Sequence, residues 1–212
     1  MKVWDGFIRF FHWALVACLA GLYFSAEEGA MDLHFVIGYV TCALLITRLF
    51  WGMFGSETAR LSALINGPKE VVQAIRSQSM KAGHNAAGGY MVLLFFVLIA
   101  TQLATGLMTT DDILTDGPLV QHVPYEWVEI ASSLHHQNFD WLLIAIALHI
   151  LAIIVYALRG KKLVPAMITG RNQQVNGKVQ MKASWPAFIL FMFALTLLMM
   201  TWGYEPLVAL FS

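Results

Sequence analysis

Charged residues are scarce in this chain. Only 12% of its 212 residues are Asp, Glu, Lys or Arg, and 58% are hydrophobic. A soluble globular domain carries about 25% charged residues, and the mean hydropathy here is +0.66. The composition therefore excludes an ordinary soluble domain. Acidic and basic residues also balance at 13 each, so no excess of positive charge indicates a nucleic-acid partner.

Cysteine and a cleavable leader are lacking as well. The two cysteines, Cys18 and Cys42, lie in apolar stretches, where packing explains them better than a disulfide or thiol chemistry. The first apolar stretch contains Arg9 and His12 and ends without a small-residue cleavage pattern. We therefore expect it to be a retained helix rather than a signal peptide.

Long apolar runs are the main feature that the chain does have. A helix needs about 20 apolar residues to cross a bilayer core of about 30 Å, and five stretches come close to that length. The predicted spans cover approximately residues 7–25, 33–54, 86–108, 134–158 and 185–204. Between the second and third spans, Pro68 is placed to start a short surface helix. These features predict an all-α, multi-pass membrane protein.

The charges separate according to loop. The basic residues lie in the N-terminal segment, at the end of span two, and in the loops after spans two and four: Lys2, Arg9, Arg48, Arg60, Lys69, Arg76, Lys81, Arg159, Lys161, Lys162, Arg171, Lys178 and Lys182. The loops after spans one and three and the C-terminal tail carry acidic residues instead: Glu27, Glu28, Asp32, Asp111, Asp112, Asp116, Glu126, Glu129 and Glu205. Because positively charged loops stay in the cytoplasm, we expect the N-terminus inside and, after five crossings, the C-terminus outside.

Histidines occur at two depths in these apolar runs. His34 and His135 lie at the outer ends of spans two and four. His12 and His149 lie about 21 Å deeper, at a helical rise of about 1.5 Å per residue. His149 follows His135 by 14 positions, which returns a helix to within about 40° of its starting direction. We therefore expect these two to face one cavity and the neighbouring His136 to point away from it.

Two imidazoles from different helices are a ligand set that suits haem iron. Two axial imidazoles saturate the iron and favour electron transfer over oxygen binding. Arg48 follows His34 by 14 positions, so it shares that helix face and can pair with an anionic propionate. Zinc fits poorly, because the histidines form separated pairs that no close carboxylate or thiolate completes. Taken singly, each histidine could instead form an ordinary interhelical hydrogen bond.

Five segments resemble the bacterial cytochrome b561 and Ni,Fe-hydrogenase b-type cytochrome subunit family. They are VWDGFIRFFHW, LHFVIGYVTCALLITRLFWGMFG, GHNAAGGYMVLLF, LHHQNFDWLLIAIALHI and LVPAMITG, within residues 3–170. The resemblance implies a di-haem domain over residues 1–170, with four helices around two b-type haems. It leaves residues 171–212 as a basic loop and an additional C-terminal transmembrane helix. The chain departs from the family at His136, where an acidic residue is usual, and at Ala86, where proline is usual.

The resemblance also implies the site residues. It places the haem ligands at His12, His34, His135 and His149. His84 is the rival ligand, but its place at the inner boundary suits a supporting role near the inner haem better. Arg9 could pair with an inner propionate, although an arginine that reaches toward lipid phosphate explains it nearly as well. No C-x-x-C-H motif occurs, so we expect both haems to be bound without a covalent link.

The function implied by the resemblance is electron transfer in the bacterial inner membrane. Electrons would pass between the quinone pool and a periplasmic redox partner, such as a c-type cytochrome, a hydrogenase or another dehydrogenase. A homodimer is compatible with the sequence. Two alternatives stay open at this point: a haem-free helical transporter with histidine proton relays, and a cytochrome that oxidises superoxide, as some relatives do. The absence of Gly- or Pro-broken helices at mid-membrane favours the cytochrome over the transporter.

Overall fold

The computed structural model describes residues 1–77, 82–113, 115–175 and 177–211. Within these ranges the chain consists of helices and loops, with two isolated β-bridges. Five of the described helices are long and apolar enough to cross a membrane, which confirms the predicted all-α membrane fold. Lys81, one of the basic residues of the loop after span two, lies outside the described residues.

The helices are numbered α1 to α8 along the chain. Their bounds are Gly6–Glu27 (α1), Met31–Phe54 (α2), Pro68–Ser77 (α3), Ala86–Gly106 (α4), Tyr125–Leu158 (α5), Leu163–Thr169 (α6), Trp185–Leu198 (α7) and Tyr204–Ala209 (α8). A π-helical segment, Met199–Gly203, joins α7 to α8, so that both belong to one span, Trp185–Ala209. The short helix α3 begins at Pro68, as predicted.

The fourth span begins earlier than the sequence pattern predicts. α5 starts at Tyr125 instead of near residue 134 and runs for 34 residues. Its first turns carry Glu126 and Glu129, which are exposed. A search for apolar stretches misses such turns, because it detects the part of a helix that crosses the hydrocarbon core of the bilayer and not the whole helix. Pro124 precedes the first turn and has a backbone φ suited to a helix start.

Side-chain caps start two of the membrane helices. Asp5 Oδ1 accepts a hydrogen bond of 2.9 Å from the Ile8 amide and caps α1. Asn85 Oδ1 accepts one of 2.8 Å from the Gly88 amide and caps α4. The first amides of a helix have no partner within the helix itself, so these caps stabilise the N-terminal ends of α1 and α4.

The second helix lies at the centre of the packing. α1 and α7 both pack against α2, whereas α4 packs against α5 and more lightly against α2. The larger buried cluster joins the first two helices to α7 and contains Val3, Trp4, Phe7, Ile8, Phe11, Ala43, Leu44, Trp51, Ala59, Ala166, Ala187, Phe191 and Ala194. A smaller cluster, Leu45, Ile99 and Leu142, joins α2 to α4 and α5. α2 therefore connects the two halves of the bundle.

The connection that follows α6 packs against the inner ends of the first two helices. The Val3 amide donates to the Gly170 carbonyl oxygen at 2.8 Å. The ammonium of Lys182 donates to the Phe54 carbonyl oxygen at 2.6 Å, where α2 ends. Lysines are favourable at helix C-termini because unpaired carbonyl groups face them. This basic segment therefore covers the N-terminal end of α1 and the C-terminal end of α2.

Candidate haem-binding sites

His34 lies in the first turn of α2 and is held by α1. Its Nδ1 is 3.0 Å from the Leu22 carbonyl oxygen and 3.2 Å from Ser25 Oγ. A carbonyl oxygen can only accept a hydrogen bond, so Nδ1 must carry the ring proton. The other ring nitrogen, Nε2, then keeps its lone pair and is competent to bind a metal.

His135 of α5 is held by α4 in the same manner. Its Nδ1 is 3.1 Å from the Gln102 carbonyl oxygen and 3.2 Å from Thr105 Oγ1. This close approach depends on Gly106, where a Cβ atom would lie 2.9 Å from Cε1 of the histidine. α2 and α5 therefore each present an imidazole whose Nε2 atom can bind a metal.

The neighbouring histidine has a different environment. His136 is exposed, and its Nδ1 lies 2.8 Å from the Ser132 carbonyl oxygen of its own helix. The side chain thus points away from the interior of the bundle, in agreement with the direction expected from helix geometry. His122 is also exposed, in the outer loop before α5.

His12 of α1 and His149 of α5 form the inner pair. Their imidazoles interact electrostatically. Nδ1 of His12 is buried and has no hydrogen-bond partner. The ring of His149 meets Phe95 of α4 edge-on, with ring centroids 5.7 Å apart. A buried nitrogen without a partner is costly in a structural role, so His12 is better suited to a ligand than to a structural role.

His84 lies just before α4 and joins the inner group. Its ring is 4.8 Å from the ring of Trp4, and its buried Nδ1 has no hydrogen-bond partner. Burial lowers the pKa of this side chain to about 3, and the charges of Arg48, His149 and His12 act in the same direction. The imidazole is therefore neutral at physiological pH. It can donate or accept a hydrogen bond but supplies no charge.

Arg48 places a buried cation within electrostatic range of this inner group. The residue is 3% exposed, and its NH1 has no hydrogen-bond partner. The guanidinium carbon lies 5.3 Å from the Phe96 ring centroid and 6.0 Å from that of Phe11. The carboxylate that acts on it electrostatically is Asp5, which is 0% exposed. A buried guanidinium with an unpaired donor is well suited to bind a carboxylate.

Arg9 is held by the segment around α6. Its NH1 donates to the Ile168 carbonyl oxygen at 2.8 Å. A Cβ atom at Gly170 would lie 3.1 Å from Nε of this arginine, and that Nε is buried without a partner. Arg9 therefore has a structural contact that the sequence did not predict, and it keeps one buried donor for a further group.

The residues present fit a haem with two imidazole ligands. The rings of His34 and His135 offer Nε2 lone pairs. Near the inner pair, Arg48 and Arg9 each have an unpaired buried donor that matches an anionic propionate. A Cβ atom at Gly38, one turn after His34, would meet nothing within 4 Å, so open space lies beside α2 at this level. In the described ranges, no three His, Cys, Asp or Glu side chains are arranged to hold a metal ion.

Three supporting residues were not singled out from the sequence. Ser25 and Gly106 belong to residue types that are common in membrane helices, so neither carries a specific signal. Asn138 is buried and bonds to α4. Its signal was available, since it is an amide within the fourth predicted span, three positions after His135.

Paired imidazoles inside a bundle of apolar helices define the class of helical membrane cytochromes. The family model described as prokaryotic cytochrome b561 matches residues 3–170, and the chain belongs to that family. The chain is therefore a multi-pass membrane protein of the b-type cytochromes, which bind haem and transfer electrons. No curated protein and no solved structure matches the chain.

Proposed function

We propose that this cytochrome binds two b-type haems and carries electrons across the bilayer between the quinone pool and a periplasmic redox protein. The outer haem is held by His34 and His135, and the inner haem by His12 and His149. Residues 1–170 form the di-haem domain, and residues 171–212 add the basic loop and the fifth span. The observation that carries this proposal is the presence of two imidazole pairs from separate helices, at two depths of the bundle.

The residues of each pair have distinct tasks in electron transfer. A haem with two imidazole ligands supplies a one-electron couple with no open coordination position. Leu22 and Gln102 fix the outer imidazoles in one tautomer through their carbonyl oxygens. Arg48 offsets the negative charge of inner propionates, and Arg9 contributes a second donor from the side of α6. His84 stays neutral and lies beside the inner pair without adding a charge.

The orientation follows from the loops. Positive charge in the loops after α2 and α5 keeps these loops and the N-terminus in the cytoplasm of the bacterial cell. The turn between α1 and α2 and the loop between α4 and α5 then face the periplasm. The outer pair therefore lies next to a periplasmic partner, and the inner pair lies near the cytoplasmic boundary.

The acidic outer face favours a basic partner. Eight carboxylate residues lie on the two outer connections and the first turns of α5: Glu27, Glu28, Asp32, Asp111, Asp112, Asp116, Glu126 and Glu129. All of them are exposed. Complementary charge accelerates the encounter of two proteins. A c-type cytochrome or a hydrogenase subunit with a basic face is the partner that this surface suits, with quinone as the membrane substrate.

Haem content tests the proposal directly. A pyridine haemochrome assay of the purified chain should give two haems per polypeptide. His135→Ala and His34→Ala should each leave only the inner haem, and His12→Ala and His149→Ala only the outer one. The matched control is His136→Ala, which should keep both haems because the side chain is exposed. One haem or none in the unaltered protein would overturn the proposal.

A further inference from the structure

We propose that Asn138 is a positioning residue for the outer haem. It joins α5 to α4 so that His135, three positions earlier on α5, keeps its Nδ1 on the Gln102 carbonyl oxygen. The inference deepens the proposed function and depends on it, because it concerns how one of the outer ligands is held. No part of it requires that Asn138 touch the haem.

Asn138 is a costly residue to place inside a membrane helix. It is 4% exposed and lies within an apolar span. A buried amide without hydrogen bonds is destabilising, and polar residues within membrane spans generally have a function. The side chain offsets this cost with two hydrogen bonds to the neighbouring helix α4. Its Nδ2 donates to the Leu98 carbonyl oxygen at 2.9 Å and to Gln102 Oε1 at 2.7 Å.

The second of these bonds links Asn138 to the ligand. Gln102 accepts from Asn138 through its side chain, and its backbone carbonyl oxygen is 3.1 Å from Nδ1 of His135. Asn138 and His135 are three positions apart on α5 and therefore project from the same helix face. One residue of α4 thus binds the imidazole and the amide together, over a single helical turn.

The two helices are in close contact at this level. His135 packs over Gly106, where there is no room for even one additional carbon atom. A rotation of α5 that opened this contact would also lengthen the bond from Nδ1 to the carbonyl oxygen. An interhelical bond that only promoted association could lie anywhere along the pair. Asn138 lies instead one turn from His135, where its bonds fix the distance between Nδ1 of His135 and the Gln102 carbonyl oxygen.

This geometry has an electronic consequence. An imidazole that donates from Nδ1 to a carbonyl oxygen becomes a more basic ligand at Nε2. A more basic ligand stabilises the ferric state and so lowers the reduction potential, since hydrogen bonding around the ligands is one of the controls on haem potential. Weakening the contact between His135 and Gln102 should therefore raise the potential of the outer haem.

The test is a spectroscopic redox titration of the full-length, haem-loaded protein. Asn138→Leu removes both bonds and keeps the number and branching of the side-chain heavy atoms. We expect two haems to be retained, a more positive potential for the outer haem and an unchanged potential for the inner one. The matched control is Gln137→Leu, which removes a neighbouring but exposed amide and should shift neither potential. Loss of both haems in Asn138→Leu would indicate a general folding role and overturn the inference.

A double-mutant cycle gives the more specific test. Gln102→Leu keeps the backbone carbonyl that binds His135 but removes the acceptor of Asn138, so it should raise the outer potential as well. Because both substitutions remove the same bond, the double variant should shift the potential by less than the sum of the single shifts. Additive shifts would overturn the inference, as would an unchanged outer potential in Asn138→Leu. Fewer than two haems in the unaltered protein would instead refute the proposed function.

Discussion

A methyl group at Gly106 should weaken the outer haem site selectively. In Gly106→Ala, the new carbon would lie 2.9 Å from Cε1 of His135, whereas ordinary contact begins at 3.4 Å. The imidazole must move away from α4 to make room. The backbone φ at Gly106 is not positive, so alanine introduces no backbone strain. Alanine is also a better helix former than glycine, so we expect the bundle itself to fold.

The expected magnitude follows from the hydrogen bonds that hold the ring. Nδ1 of His135 is already 3.1 Å from the Gln102 carbonyl oxygen and 3.2 Å from Thr105 Oγ1. A retreat from Gly106 lengthens these contacts beyond the usual limit of about 3.2 Å. A lost hydrogen bond costs about 0.5–1.5 kcal/mol net, and about 1.4 kcal/mol corresponds to a factor of ten in affinity. The outer haem should therefore bind roughly 2- to 10-fold more weakly.

Haem retention measures this effect. Transfer of haem from the purified protein to an excess of a haem-binding acceptor should show a faster phase for the outer haem, with the inner phase unchanged. The phase is assigned by comparison with His135→Ala, which retains only the inner haem. Gly67→Ala is the control, because a Cβ atom at Gly67 would meet nothing within 4 Å. Wild-type retention in Gly106→Ala would refute the placement of His135 over Gly106.

Three further expectations concern charge and ligation. Arg48→Gln should lower the potential of the inner haem in a redox titration, because loss of a buried cation favours the ferric state; an unchanged or higher potential would contradict this role. His84→Ala should retain two haems in a pyridine haemochrome assay, and the loss of one would make this histidine a ligand. Glu126→Gln combined with Glu129→Gln should slow stopped-flow electron exchange with a basic c-type cytochrome and reduce its dependence on salt. Glu70→Gln on α3 is the control, and rates that ignore salt and the paired substitutions would leave the acidic face without a role.

Helix positions and directions were accessible from the sequence because both follow from simple periodicities. Apolar length located the spans, and the 14-residue spacing of His135 and His149 is close to a whole number of helical turns. The same geometry predicted that His136 would be turned outward, and that side chain is exposed. The start of α5 was misplaced because its outer turns are polar, although they are helical in the structure.

The partners of the ligand rings were not accessible, because most of them are backbone atoms. The carbonyl oxygens of Leu22 and Gln102 bind the outer imidazoles, and any residue type provides such an oxygen. Which carbonyl oxygen lies within reach depends on how two helices cross and how closely they approach. That approach depends in turn on residues such as Gly106, whose only chemical contribution is the lack of a side chain.

The fifth span shows how a segment beyond the family match still bears on the site. Phe191 of α7 belongs to the buried cluster that contains the inner ends of α1 and α2. At the other end of the span, a Cβ atom at Gly203 would lie 3.2 Å from the ring of Tyr39 on α2. The π-helical segment therefore keeps this span in close contact with α2 along its length. Because α2 carries both His34 and Arg48, support from the fifth span acts on the outer and inner groups together.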